Sequence, residues 1–150
     1  MKHSIFSSLT LKHPFPTCPG LRFSMQFLFG GIAYGLAEVI WRGYTHPSMV
    51  LTGGICFTMI CLINQKWKQL PLIVRSIVCA FGITAIEFCV GIIVNFLLHM
   101  DVWDYSNEWM HLLGQICPLY SCLWFFLSFS ISLLLSAIPF FARIRQKARG

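Results

Sequence analysis

Four apolar runs dominate the chain: Phe23–Trp41, Pro47–Asn64, Pro71–Leu98 and Leu112–Ile138. A bilayer core about 30 Å thick needs about 20 apolar residues of helix, and each run approaches or exceeds that length. Charge is correspondingly scarce, at 11% of residues, where a soluble domain carries about 25%. So few charges cannot cover the surface of a water-soluble fold. The 57% apolar content excludes disorder. Lipid leaves backbone groups no water to bond with, so the spans must be helices or a closed barrel. The runs predict an all-α polytopic membrane protein, a four-transmembrane-helix bundle.

Punctuation sets the expected boundaries. Residues 1–22 hold Pro14, Pro16 and Pro19, which break a helix, and read as a flexible cytoplasmic tail. Ser4–Leu11 is too short and polar for a signal-peptide core, and Met25 offers a second candidate start. Pro47 and Pro71 stand where helices favour proline, in the first turn. Pro118 either kinks the fourth span or begins it, leaving His111–Cys117 as an interfacial or re-entrant piece. The four-helix domain is expected over 23–138, and a basic tail over 139–150. The seven cysteines form no CxxC pair and lie mostly in apolar runs, where Cys packs as a small hydrophobe. No disulfide framework or thiolate zinc site is expected.

The net charge of +6 points to no nucleic acid once position is considered. Lys2, Lys12, Arg22, Lys66, Lys68, Arg75, Arg143, Arg145, Lys147 and Arg149 fall on one side of a four-span arrangement; Arg42 alone falls on the other. Basic residues sort to the cytoplasmic side, so both termini are expected inside. Trp41, Trp103 and Trp109 would form the outer aromatic belt, with Trp67 at the inner face.

A carboxylate within a span costs at least a few kcal/mol and asks for a partner or a task. Glu38 closes the first span with Arg42 one turn on, a spacing that shares a face. Gly31 and Gly35 make a GxxxG near that face, inviting close helix approach. On the third span Glu87, Gly91 and Asn95 recur every four residues. Helix rise puts Glu38 and Glu87 at similar depth, about 22–24 Å from the cytoplasmic ends. Asn95, Arg42, Asp101, Asp104 and Gln115 lie near the same leaflet. Two readings follow: buried charges paired to fix helix register, or a polar cavity that holds a substrate or ion. Ser128, Ser132 and Ser136, and the side of the second span carrying Gly53, Gly54, Phe57, Cys61 and Asn64, read as helix contacts. His99, Asp101, Asp104, Glu108 and His111 are metal-ligand types without a metal motif. No nucleophile elbow or Walker A loop occurs, so no catalytic residue, metal or cofactor is assigned.

Several strings occur in order: Glu38-x-x-Trp41-Arg42-Gly43, Gly53-Gly54-x-Cys56-Phe57, Glu87-x-x-x-Gly91-x-x-Val94-Asn95, Val102-Trp103-Asp104-Tyr105-Ser106 and Gly114-Gln115-Ile116-Cys117. Over about residues 26–135 the chain resembles the small bacterial membrane proteins of the Putative ABC-transporter type IV family. The resemblance implies a bacterial inner-membrane protein of about four helices, transport-related, with a separate ATPase among its conceivable partners. The connector Gln65–Leu70 is short for docking one.

The expected function is transport-related or small-molecule binding at an outward-facing pocket lined by Glu38, Arg42, Glu87, Asn95, Asp104 and Gln115. Trp41, Trp103, Tyr105 and Asp101 stand beside them. Arg42 would supply a fixed charge, and Glu87 would be the switchable group. The alternatives are a scaffold or accessory subunit glued by these residues, and a membrane-surface lipid-modifying enzyme using Asp104, His99 or His111. The bilayer is the expected partner, together with a second copy or another membrane protein.

Overall fold

The structure, a computed structural model, describes the backbone of residues 19–147 and the side chains of residues 20–137. Of the tail expected over residues 1–22, residues 1–18 lie outside the described residues and 19–22 belong to a helix; the side chains of the basic tail also lie outside the described residues. Four helices follow one another: α1 (Pro19–Arg42), α2 (Pro47–Lys66), α3 (Leu72–Gly91, continued by a π-helical segment Ile92–Leu97) and α4 (Pro118–Lys147). All four are long and apolar enough to cross a membrane, and no strand is present among the described residues. The chain is therefore a multi-pass membrane protein.

The prolines act as helix starts. Pro19 opens α1 four residues before the apolar run, since its missing N–H falls where no helical acceptor exists. At α2 the His46 Nδ1 accepts from the Ser48 N–H at 3.3 Å, and Pro47 occupies the first turn. Pro118 begins α4; residues 112–117 fold as turns with an isolated bridge between Leu112 and Ile116. The last helix continues through Pro139 to Lys147, beyond the Ile138 end that the sequence predicts. One lost backbone bond is tolerated in a helix of 30 residues.

Glycine clamps α1 against α2. A Cβ on Gly31 would stand 2.7 Å from the Val50 carbonyl oxygen, and one on Gly54 would stand 2.8 Å from that of Phe27. Helices in lipid gain from such dispersion contacts because burial away from water is no longer the driving force. The remaining close pairings join α3 to α4, and α2 to both. Between α1 and α4 runs a seam with no extended backbone packing among the described residues, crossed by Tyr34 and Trp124, whose ring centroids stand 6.1 Å apart.

The end of the bundle opposite the α3–α4 loop is held by a polar cluster. Arg75 Nη1 donates to Asn64 Oδ1 at 2.9 Å, and Asn64 Nδ2 donates to Ser132 Oγ at 2.8 Å. This cluster ties α3, α2 and α4 together, while Arg22 Nη2 reaches Gln65 Oε1 at 2.6 Å from α1. No carboxylate takes part, since Glu38, Glu87, Asp101, Asp104 and Glu108 all lie elsewhere.

Candidate functional site

At the loop end, the last turn of α1 brings Arg42 onto Glu38. Arg42 Nη2 bonds Glu38 Oε1 at 2.6 Å, and the Thr45 hydroxyl donates to Oε2 at 2.6 Å. The guanidinium also donates through Nη1 to the Val102 carbonyl at 3.2 Å. Arg42 thus joins α1 to the α3–α4 loop, and Glu38 spends its lone pairs on near neighbours.

A second set fastens the same loop to α3. Asn95 Nδ2 donates to the Trp103 carbonyl at 3.0 Å and to Gln115 Oε1 at 2.7 Å, while its Oδ1 accepts from the Val102 N–H at 2.8 Å. The π segment presents Asn95 to the loop; Gly91, one turn earlier, leaves room for Gln115 and Trp103, whose atoms a side chain there would strike. Trp103 turns inward and donates from Nε1 to the Gln115 carbonyl at 3.1 Å. It is 6% exposed, so it does not serve the aromatic belt. Trp41 and Trp109, at 84% and 79% exposure, face outward.

Asp104 and Asp101 stand apart from both sets and are exposed. Asp104 accepts from the Ser106 hydroxyl and, at 2.8 Å, from its backbone N–H. These bonds hold its carboxyl below the usual carboxylate range. Among the described residues no group of three His, Cys, Asp or Glu side chains is arranged to hold a metal.

Glu87 is different. It is 3% exposed, its Oε2 accepts from Trp124 Nε1 at 2.8 Å, and its Oε1 accepts from the Tyr105 hydroxyl at 3.2 Å. Both donors are neutral, and no cation pairs with this carboxylate among the described residues. A hydrogen bond to a charged group contributes about 1.5–3 kcal/mol, so two are of the size needed to offset the cost of an acid within a span, which reaches roughly 2.5–3.5 kcal/mol at the helix centre. Burial pushes the Tyr105 phenol up, which keeps it a donor. Its ring stacks on Tyr120 at 4.3 Å.

Below Glu87 lies a cavity of about 280 Å³ walled by all four helices. Glu87, Tyr34, Trp124, Thr52 and Cys56 line it with Phe29, Phe57, Ile60, Ile83, Leu127 and Ile131. Of the six pocket residues that the sequence singles out, Glu87 alone lines this space. Glu38 with Arg42, and Asn95 with Gln115, instead form the two fastenings of the loop. Tyr34 and Trp124 were passed over by sequence reasoning; as aromatics with a polar edge they are suited to a mixed environment, but one sequence gives no sign that they meet.

The model of the Putative ABC-transporter type IV family matches residues 26–148, spanning all four helices. The chain belongs to this family. No curated protein and no solved structure matches it. As a member of the Putative ABC-transporter type IV family, the chain has a transport-type assignment that rests on the whole bundle rather than on one motif.

Proposed function

We propose that this protein binds a small molecule in the four-helix cavity beside Glu87, as part of a transport process. The observation that carries the reading is a buried carboxylate facing an open volume with only neutral donors on its oxygens. Membership of a transporter-type family supports it. In this reading Glu87 is the binding group, and Trp124 and Tyr105 set its orientation. Glu38, Arg42, Asn95 and Gln115 hold the loop that roofs the cavity, and Asp104 shapes that loop's surface. Both termini lie in the cytoplasm of a bacterial inner membrane, a placement supported by ten of eleven basic residues sorting to one side. No ATPase is required by the reading, because the turn between α2 and α3 offers no coupling helix.

The test is cavity filling. Ala33 lines the space from α1, and Ala33→Trp puts bulk there without touching Glu87. Purified protein in nanodiscs is screened against a panel of small aromatic amines, acids and neutral compounds by melting temperature. A ligand at a hundred times its Kd stabilises by about 2.7 kcal/mol. At least one compound should raise the melting temperature of the wild type and leave Ala33→Trp unmoved. Equal shifts for both proteins across the whole panel would point to a scaffold instead.

A further inference from the structure

We propose that the ligand of the Glu87 cavity is a lipophilic organic cation that enters sideways from the bilayer through the seam between α1 and α4. This rests on the binding reading above and assigns it a ligand class and a route.

Charge complementarity gives the class. Among the described lining residues Glu87 is the one carboxylic acid, and none is Lys, Arg or His. Each carboxylate oxygen accepts one protein hydrogen bond and keeps a second lone pair free. An anion would meet only repulsion from Glu87. Two aromatic rings stand near the carboxylate: Trp124 is bonded to it, and Tyr34 lies 6.1 Å from Trp124 between ring centroids. Aromatic faces attract an organic cation through their quadrupole, more so where water is excluded. Further along, Phe29 and Phe57 stand 5.2 Å apart and, with Leu127 and Ile131, give an apolar wall. The cavity therefore has a head end at Glu87 and a tail end toward the middle of the bundle.

The route follows from what is covered and what is not. Toward the loop end Val102 and Trp103 are buried and fastened by Asn95 and Arg42. Along the seam the rim residues Phe29 and Leu127 are 62% and 43% exposed, and Ala33 and Ala37 are exposed beside them. In a membrane those surfaces face lipid. A molecule arriving this way partitions into the bilayer first, which selects an apolar body. The volume of about 280 Å³ lies at the small end of ligand sites, which start at about 300 Å³, and so favours a single-ring amine or ammonium.

The experiment uses the full chain in phosphatidylcholine nanodiscs, whose zwitterionic surface attracts neither sign of probe. The probes are benzyltrimethylammonium, its neutral carbon isostere neopentylbenzene, and phenylmethanesulfonate, with each melting shift corrected by that of Ala33→Trp. The wild type should bind the cation at least tenfold more tightly than the neutral isostere, and the sulfonate not at all. Glu87→Gln, which keeps shape and an acceptor oxygen, should erase the preference while still binding the neutral compound. Tyr34→Leu should weaken the cation more than the isostere. Equal or tighter binding of neopentylbenzene to the wild type, or a cation preference that survives Glu87→Gln, overturns the assignment but leaves a small-molecule site. If no probe binds and the protein instead dimerises through the seam, with cross-links between Cys residues placed at Ala33 and Ala37 of two copies, both the ligand class and the site reading are refuted.

Discussion

Replacing Arg42 with alanine removes the ion pair to Glu38 at 2.6 Å and the bond to the Val102 carbonyl at 3.2 Å. The side chains are 25% and 10% exposed respectively, which places the pair between two known regimes. Exposed pairs contribute about 0–1 kcal/mol, and breaking a fully buried one costs about 3–5 kcal/mol. Glu38 keeps the Thr45 hydroxyl at 2.6 Å, which limits the penalty. The expected loss for Arg42→Ala is therefore about 2–4 kcal/mol, with roughly 1 kcal/mol of it from the loop carbonyl. Glu38→Gln removes the charge that Arg42→Ala strands, so the double variant should recover about 1–3 kcal/mol relative to the sum. The assay is a reversible unfolding titration in mixed micelles, followed by helicity, on the four proteins of the cycle. Glu87 shares no partner with Arg42, so Glu87→Gln should couple to Arg42→Ala by less than about 0.5 kcal/mol. Additivity of Arg42→Ala with Glu38→Gln, or stronger coupling to Glu87, would refute the pairing on which this reasoning stands.

Other perturbations separate the remaining parts. Gly54→Ala should destabilise by about 1–3 kcal/mol through overpacking, since its Cβ would stand 2.8 Å from the Phe27 carbonyl oxygen; the same titration reads it. Asn95→Ala frees the Trp103 carbonyl and the Val102 N–H together, so amide exchange over residues 99–117 should accelerate at least tenfold while α2 keeps its protection. The Asp104 carboxyl is held low in the folded protein, so its contribution is present above the unfolded value of about 3.9 and is lost as pH falls through the lower folded value. Asp104→Asn should flatten that acid limb of the stability profile and lower the profile above pH 6 by a constant amount, so that the two proteins converge only in acid.

The spans could be located from sequence because hydropathy summed over 20 residues outweighs any local ambiguity. Their ends were harder. Pro118 allows two readings, a break or a start, and Pro19, expected to break a helix, starts one instead. Leu113 and Gly114 have φ of 52° and 66°, which ends the helical reading of 112–117. The Glu38–Arg42 pair was legible because one turn separates its members. Glu87 with Trp124 was not, because 37 residues separate them and helix rise gives depth without azimuth. That distinction explains why six residues at one depth read as one pocket, while the fold divides them among two loop fastenings, an exposed turn and a cavity wall.

The π-helical segment Ile92–Leu97 makes the position of the loop a matter of residue count. A π turn arises when one extra residue is accommodated in a helix without being expelled. Inserting a second residue between Ile92 and Val94 has no such widening to absorb it and would turn Asn95 by about 100° around the axis. Its three bonds to Val102, Trp103 and Gln115 would then point along the bundle surface, although every side chain involved was still present. Substitutions at Ile92 and Ile93, half-buried or exposed apolar positions, leave that count intact. A frame-preserving insertion scan across the segment should thus harm the protein more than a substitution scan of the same residues, reversing the order that their modest burial suggests.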